Sequence, residues 1–329
     1  MDIYDPYDIE QQREMMWIHP LMTKDYVALT PSMPKVLEIV IEHIMLHKRC
    51  LVFKAYPRMG KTTTCNFVIS ALKRHPALKD RFVTRVSADT INELKRREHI
   101  VKSLANALHL FVPKRLDTAA LRQDVLNAIE SALKNMGGRH WVLFIDELQT
   151  LTIEDFEHLQ HIQNLLAING IDTTLIGFSQ TQINFAIELL KKQKRVELNA
   201  RFLSEVLDLP CCDDHTWMEE TVKGYDENFT YPPGSNCTYT QFFLPRAFEA
   251  GFRLATYAPQ TFKVMSEVVT GAIRVIPTEF VFEVFRLILI RSMNSDSADF
   301  EMVDETIKSA TAESGLRAYM DILKEGGVL

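Results

Sequence analysis

The 329-residue chain has no uncharged apolar run of membrane-spanning length, which excludes a transmembrane helix of the usual kind. It also lacks a cysteine framework. Five cysteines, an odd number scattered without regular spacing, suit a reducing compartment rather than a disulfide-stapled fold. The opening residues, MDIYDPYDIEQQREMM, are acidic and polar, unlike a secretory signal or a transit peptide, so a cytoplasmic location is expected. Nor is there an excess of positive charge. With 37 Lys and Arg against 43 Asp and Glu the net charge is −6, which argues against coating nucleic acid by bulk charge but leaves room for a local basic strip. Internal repeats and low-complexity tracts are absent too.

What remains is an ordinary globular composition, 47% hydrophobic and 24% charged, in a chain long enough for one large and one smaller domain. Residues 1–30 read as an irregular arm. From Pro34, Val36, Leu37, Val40, Ile41 and Ile44 recur at helical spacing. Five short apolar stretches then alternate with helical patterns: Cys50–Ala55, Phe82–Val86, Trp141–Asp146, Thr173–Phe178 and Ser204–Leu209. Each is too short for a helix and lacks polar alternation, as expected of strands buried on both faces of a parallel sheet. The expected fold is therefore α/β, with a five-stranded parallel sheet over residues 31–210. Residues 211–245, with Pro232-Pro233-Gly234, read as a loop or insertion, and 246–329 as a small helical domain.

Ala55-Tyr-Pro-Arg58-Met59-Gly60-Lys61-Thr62 matches a phosphate-binding loop, except that Ala55 replaces the first glycine. A strand precedes it and a helix follows, so backbone amides and the helix N-terminus converge on phosphate oxygens. Arg58, Met59, Gly60, Lys61, Thr62 and Thr63 are the expected nucleotide contacts. Lys61 would reach the β- and γ-phosphates of ATP, and the Thr62 hydroxyl would bind Mg²⁺. A second element, Trp141-Val-Leu-Phe-Ile-Asp146-Glu147, ends a buried strand in two carboxylates. Asp146 is expected in the Mg²⁺ shell, and Glu147 as the group that polarises the attacking water.

With these two elements, the run Thr174-Leu-Ile-Gly-Phe-Ser179-Gln180 and the segment Asn199-Ala-Arg201-Phe202 followed by Leu209-Pro210 resemble an AAA+ ATPase core with a C-terminal α-helical lid. Within that superfamily the sequence resembles the TnsC/TniB group, ATPase regulators of Tn7-like and CRISPR-associated transposons. The resemblance implies that Ser179 or Gln180 senses the γ-phosphate or the attacking water. It implies that Arg201 is an arginine finger reaching a neighbouring subunit's ATP, with Arg195 as the fallback, and that Arg274 contacts nucleotide from the lid. It also places the strip Lys95, Arg96, Arg97 and Lys102 against the phosphates of double-stranded DNA, binding without sequence preference. The implied partners are other copies of the chain in a ring or filament, a transposase and a TniQ-like target selector, with no membrane. Two other readings keep the same loop: an origin- or helicase-loading ATPase, and a small-molecule phosphotransferase active as a monomer.

Other features read as packing or surface. Cys211-Cys212-Asp213-Asp214-His215 lacks the usual ligand spacing of a zinc site. Glu157, His158 and His161 lie opposite the apolar face formed by Phe156, Leu159, Ile162 and Leu166, as on a solvated helix side.

Overall fold

The computed structural model describes residues 4–88, 99–112, 117–271 and 273–326. The chain divides into two compact units, one formed by Ser32–Leu209 and the other by Met1–Pro31 together with Pro210–Leu329. Helices α1 (Ile9–Met16) and α2 (Pro20–Thr23) open the chain and belong to the second of these.

The Ser32–Leu209 unit runs α3 (Ser32–Met45), β1 (Cys50–Lys54), α4 (Lys61–Arg74), β2 (Arg81–Ser87), α5 (Ile100–Ala107) and α6 (Thr118–Met136). It continues through β3 (His140–Asp146), α7 (Ile153–Ile168), β4 (Asp172–Ser179), α8 (Ile183–Lys192), α9 (Val196–Phe202) and β5 (Val206–Asp208). The five strands are parallel, in the order β2-β3-β4-β1-β5. Their composition explains their places. β3 is buried along its whole length, as an interior strand of a covered sheet must be, whereas edge strand β2 carries the exposed Arg85. Register then fixes the working edge. Lys54 pairs with Ser179 and Ser87 with Asp146, so the strands end together and present their last residues and following loops on one side.

One face of the sheet is closed by apolar stripes of α5, α6 and α7, such as Leu121, Val125, Ile129 and Leu133 of α6. Phe156 of α7 packs on Phe202 of α9 with ring centroids 5.4 Å apart, and both are fully buried. Each such ring contributes about 1.5–3 kcal/mol by leaving water. Thr152 and Asp155 form a capping box at the start of α7, and the other Asp155 oxygen accepts the Ile100 amide at 3.0 Å, tying the starts of α5 and α7 to one buried carboxylate.

In the second unit the segment 211–245, expected as a loop, contains α10 (His215–Glu227) and α11 (Tyr239–Phe243). Trp217, Met218, Thr221, Val222 and Tyr225 share one buried helical face, and Asp214 caps it by accepting the Trp217 amide at 2.7 Å. There follow α12 (Pro245–Glu249), α13 (Ala258–Val268), α14 (Thr278–Ser292), α15 (Asp304–Glu313) and α16 (Leu316–Glu325). Gly315, at φ 84°, separates the last two. The N-terminal segment is not an irregular strand of chain but is packed within this unit. Tyr26 Oη lies 2.6 Å from Tyr225 Oη, and Lys24 pairs with Glu283 at 2.9 Å. Among the described residues no helix is long and apolar enough to cross a membrane.

Candidate nucleotide site

The loop between β1 and α4 is built by backbone conformation. Arg58 (φ 62°) and Gly60 (φ 78°) are both left-handed, a local arrangement that gathers successive amides into an anion-binding nest. Arg58 has a Cβ and holds this conformation at a cost of about 1 kcal/mol or more, as residues at ligand-binding turns often do. The first loop position is anchored to the neighbouring strand, the Ala55 amide donating to the Ser179 carbonyl at 3.0 Å. Met59 is buried beneath the loop, while Arg58 and Thr62 are exposed and Thr63 is half-buried. Lys61, almost wholly buried, folds its ammonium back on the loop and donates to the carbonyls of Tyr56 at 2.9 Å and Ala55 at 3.3 Å. A buried ammonium held at the mouth of an amide nest is poised for an anion.

Asp146 ends β3 at 3% exposure. One of its oxygens accepts the amide of Glu147 at 3.1 Å, and the other accepts Arg85 Nη2 at 3.0 Å. Arg85 has no counterpart in the sequence-based expectation. Cys65 lies in the same region, and burial, reinforced by the Asp146 charge, pushes its thiol up to about 12. The Thr62 hydroxyl and the Asp146 carboxylate are hard oxygen donors of the kind Mg²⁺ takes, and a cation already stands at Asp146, so these residues fit that ion.

Glu147 follows in the left-handed region at φ 55°. Its Oε2 accepts hydrogen bonds from the side-chain amides of Gln149 and, at 3.0 Å, Gln180. Gln149 in turn accepts from the Ser179 hydroxyl at 3.0 Å and the Gln180 amide at 2.9 Å. Of the two residues expected at the tip of β4, Ser179 is fully buried and bonded inward, whereas Gln180 reaches the Glu147 carboxylate. Gln149, sitting in a turn, joins all of them and was not expected.

Arg201 and Arg195 are bonded outside this network. Arg201, at the end of α9, donates to Asn164 Oδ1 at 2.7 Å, and burial followed by the charge of Arg49 lowers its pKa from the ordinary arginine value. Arg195 is engaged by Glu157 and Glu197. Arg274 is exposed in the second unit, ahead of α14. Lys95, Arg96 and Arg97 fall outside the described residues, while Lys102 is half-buried on α5.

A second convergence of polar side chains joins His99, Glu154 and His158, with both Nε2 atoms 3.6–3.9 Å from Glu154 Oε1. The Nδ1 of His99 accepts the Val101 amide at 3.3 Å, and the Nδ1 of His158 faces Arg122 Nη1 at 3.0 Å. Each neutral ring must then carry its proton on Nε2, where a metal would need a lone pair. The trio is a polar cluster beside α5, and the histidine on α7 expected to face solvent is part of it.

A phosphate loop and an Asp-Glu pair at one edge of this five-stranded sheet define an ATPase with the AAA+ fold. Residues 44–184 match the family model of the AAA domain. Among solved structures, the chain is similar to the Aeropyrum pernix ORC2 protein in its ADPNP and ADP complexes, with 12% identity, a TM-score of 0.54, and coverage of 90% of this chain and 72% of that one. The ADP form of the same protein gives 14% identity, a TM-score of 0.51, and coverage of 85% and 67%. At such identities the likeness is one of fold. None of the curated proteins matches the chain.

Proposed function

We propose that the protein is an ATP-driven assembly switch that forms head-to-tail oligomers on double-stranded DNA. The observation that carries the oligomer is the place of Arg201. Val52 pairs with Val206 and Ser204 Oγ lies 3.4 Å from Cys50 Sγ, so α9 ends at the start of β1. The phosphate loop leaves the other end of that strand, about 13 Å away by strand rise. Arg201 is thus badly placed for its own nucleotide and well placed for that of a neighbour. Its side chain is held by a neutral amide, whereas Arg195 already faces two carboxylates. A heterologous contact of this kind builds rings or helical filaments.

In this reading ATP is held by the nest, Lys61 and Thr63. Mg²⁺, held by Thr62 and Asp146, supplies charge neutralisation at the phosphates. Glu147 takes or orients the proton of the attacking water, Gln180 positions that carboxylate, and a neighbour's Arg201 neutralises the charge that develops. Arg274 contributes from the lid, and Lys95, Arg96, Arg97 and Lys102 contact DNA phosphates. The fold likeness to ORC2 supports an origin- or helicase-loading job. A transposition regulator linking a TniQ-like selector to a transposase is the second reading, favoured by Asn199-Ala-Arg201-Phe202 with Leu209-Pro210.

The test is negative-stain imaging with duplex DNA under no nucleotide, ADP and a non-hydrolysable ATP analogue. Rings or filaments that need the analogue and vanish with Arg201→Ala support the proposal. A monodisperse monomer in every condition overturns it. Addition of replicative helicase or transposase to the assembled form then separates the two jobs.

A further inference from the structure

The cation at Asp146 is supplied by the chain itself. Arg85 and Phe144 are register partners on adjacent strands, so Arg85 lies on the same sheet face as Asp146, one diagonal step away and within reach of a long side chain. Its Nη2 meets Asp146 Oδ2 at 3.0 Å. The pair is asymmetric: the Asp146 side chain is 4% exposed and that of Arg85 36%. Arg85 can swing into water and keep its solvation, but Asp146 cannot. A carboxylate stripped of this cation in so dry a place is strongly disfavoured, so Arg85 leaves only as another cation arrives.

We propose that Arg85 is an internal counter-ion standing in the metal's place, closing Asp146 to divalent cations until nucleotide brings one with it. Asp146 would exchange the guanidinium for the Mg²⁺ that accompanies ATP, and Arg85 would turn to water at the same sheet edge. A metal ion alone, with water completing its shell, is not anchored by a bound phosphate and must displace Arg85 unaided. The nucleotide-free protein is therefore poor in metal. The inference rests on the reading of Asp146 as the metal carboxylate of an ATPase.

The test is titration of the nucleotide-free full chain with Mn²⁺, following free ion by electron paramagnetic resonance. Wild type and Arg85→Lys, which keeps the positive charge, are expected to bind weakly. Arg85→Gln is expected to bind about tenfold more tightly or better, since it uncovers a buried carboxylate, and the gain should vanish when Asp146→Asn is added. An unchanged Mn²⁺ affinity in Arg85→Gln, or a gain that survives loss of Asp146, overturns the proposal. Should Arg85→Gln lose its cooperative melt, wild type against Asp146→Asn alone decides. Equal weak binding by the two supports a closed carboxylate, and tighter binding by wild type overturns it. Binding of a fluorescent ATP analogue with Mg²⁺, and its loss in Lys61→Ala, reports on the ATPase reading separately.

Discussion

The side-chain amide of Gln180 donates to the Glu147 carboxylate at 3.0 Å, joining the tip of β4 to the residue that follows β3. With Gln149 on the same oxygen, the carboxylate is oriented by two neutral donors. Glu147→Gln keeps this network in shape but removes the base. Turnover should fall by about 10²–10⁴-fold, the usual worth of a positioned acid or base, while affinity for a fluorescent ATP analogue stays near wild type. Gln180→Ala should lower turnover less and spare binding in the same assay. A parallel loss of affinity in Glu147→Gln would mean that this residue holds nucleotide rather than water.

Lys61 has the opposite signature. In the absence of phosphate its ammonium is satisfied by the carbonyls of Ala55 and Tyr56, so its removal opens the loop without stranding a charge. Lys61→Ala should weaken ATP binding by roughly ten- to a hundredfold, the value of one or more charge-assisted hydrogen bonds, with a change in melting temperature much smaller than the change in affinity. Equilibrium titration beside thermal melts reads both.

The strands were legible because buried parallel strands are continuous apolar runs. Trp141–Asp146 in the reading is His140–Asp146 in the fold, and Thr173–Phe178 is Asp172–Ser179. The loop and the Asp-Glu pair were legible because their chemistry demands particular residue types in sequence. Gln149 and Arg85 were not. A glutamine in a turn and an arginine on an edge strand look like surface, and their roles exist only through partners brought close by the sheet. α10 had a readable face in Trp217, Met218, Val222 and Tyr225, obscured by the Cys-Cys-Asp-Asp before it and the prolines after it. The cluster at His158 was hidden because His99 comes from a different element.

Arg201 and Arg195 should separate cleanly. Arg195 makes surface ion pairs with Glu157 and Glu197, so Arg195→Ala should leave both stability and activity close to wild type. Arg201→Ala should reduce turnover by about 10³-fold or more without loss of ATP affinity. A mixing experiment checks the trans geometry. Glu147→Gln and Arg201→Ala chains, each inactive, should recover about a quarter of wild-type turnover when mixed equally, because random head-to-tail pairing restores intact interfaces in that proportion. No recovery in a mixture that still co-assembles would place both residues in the same subunit's site.

His19 gives the second unit a pH signature. Its ring is fully buried among Tyr231, Tyr239, Phe242 and Phe243, all with centroids within 4.9 Å, and burial lowers its pKa from 6.5 to about 3. The folded ring is thus neutral where the unfolded one takes up a proton. Between pH 6.5 and about 3 the unfolded state binds more protons, so this contribution is complete above pH 6.5 and is lost as pH falls through that window. The slope approaches about 1.4 kcal/mol per pH unit. Asp226, in the same unit, has a pKa raised by burial and opposes the trend, so the comparison must be with a variant that changes His19 alone. His19→Asn serves, because the His19 Nδ1 that accepts the Leu21 amide at 3.0 Å has a substitute in the asparagine oxygen. Denaturant melts followed by near-ultraviolet aromatic signal should show the variant less stable at pH 7.5 and the difference narrowing toward pH 4. A difference independent of pH would show that the ring contributes by packing alone, with its proton uptake unchanged by folding.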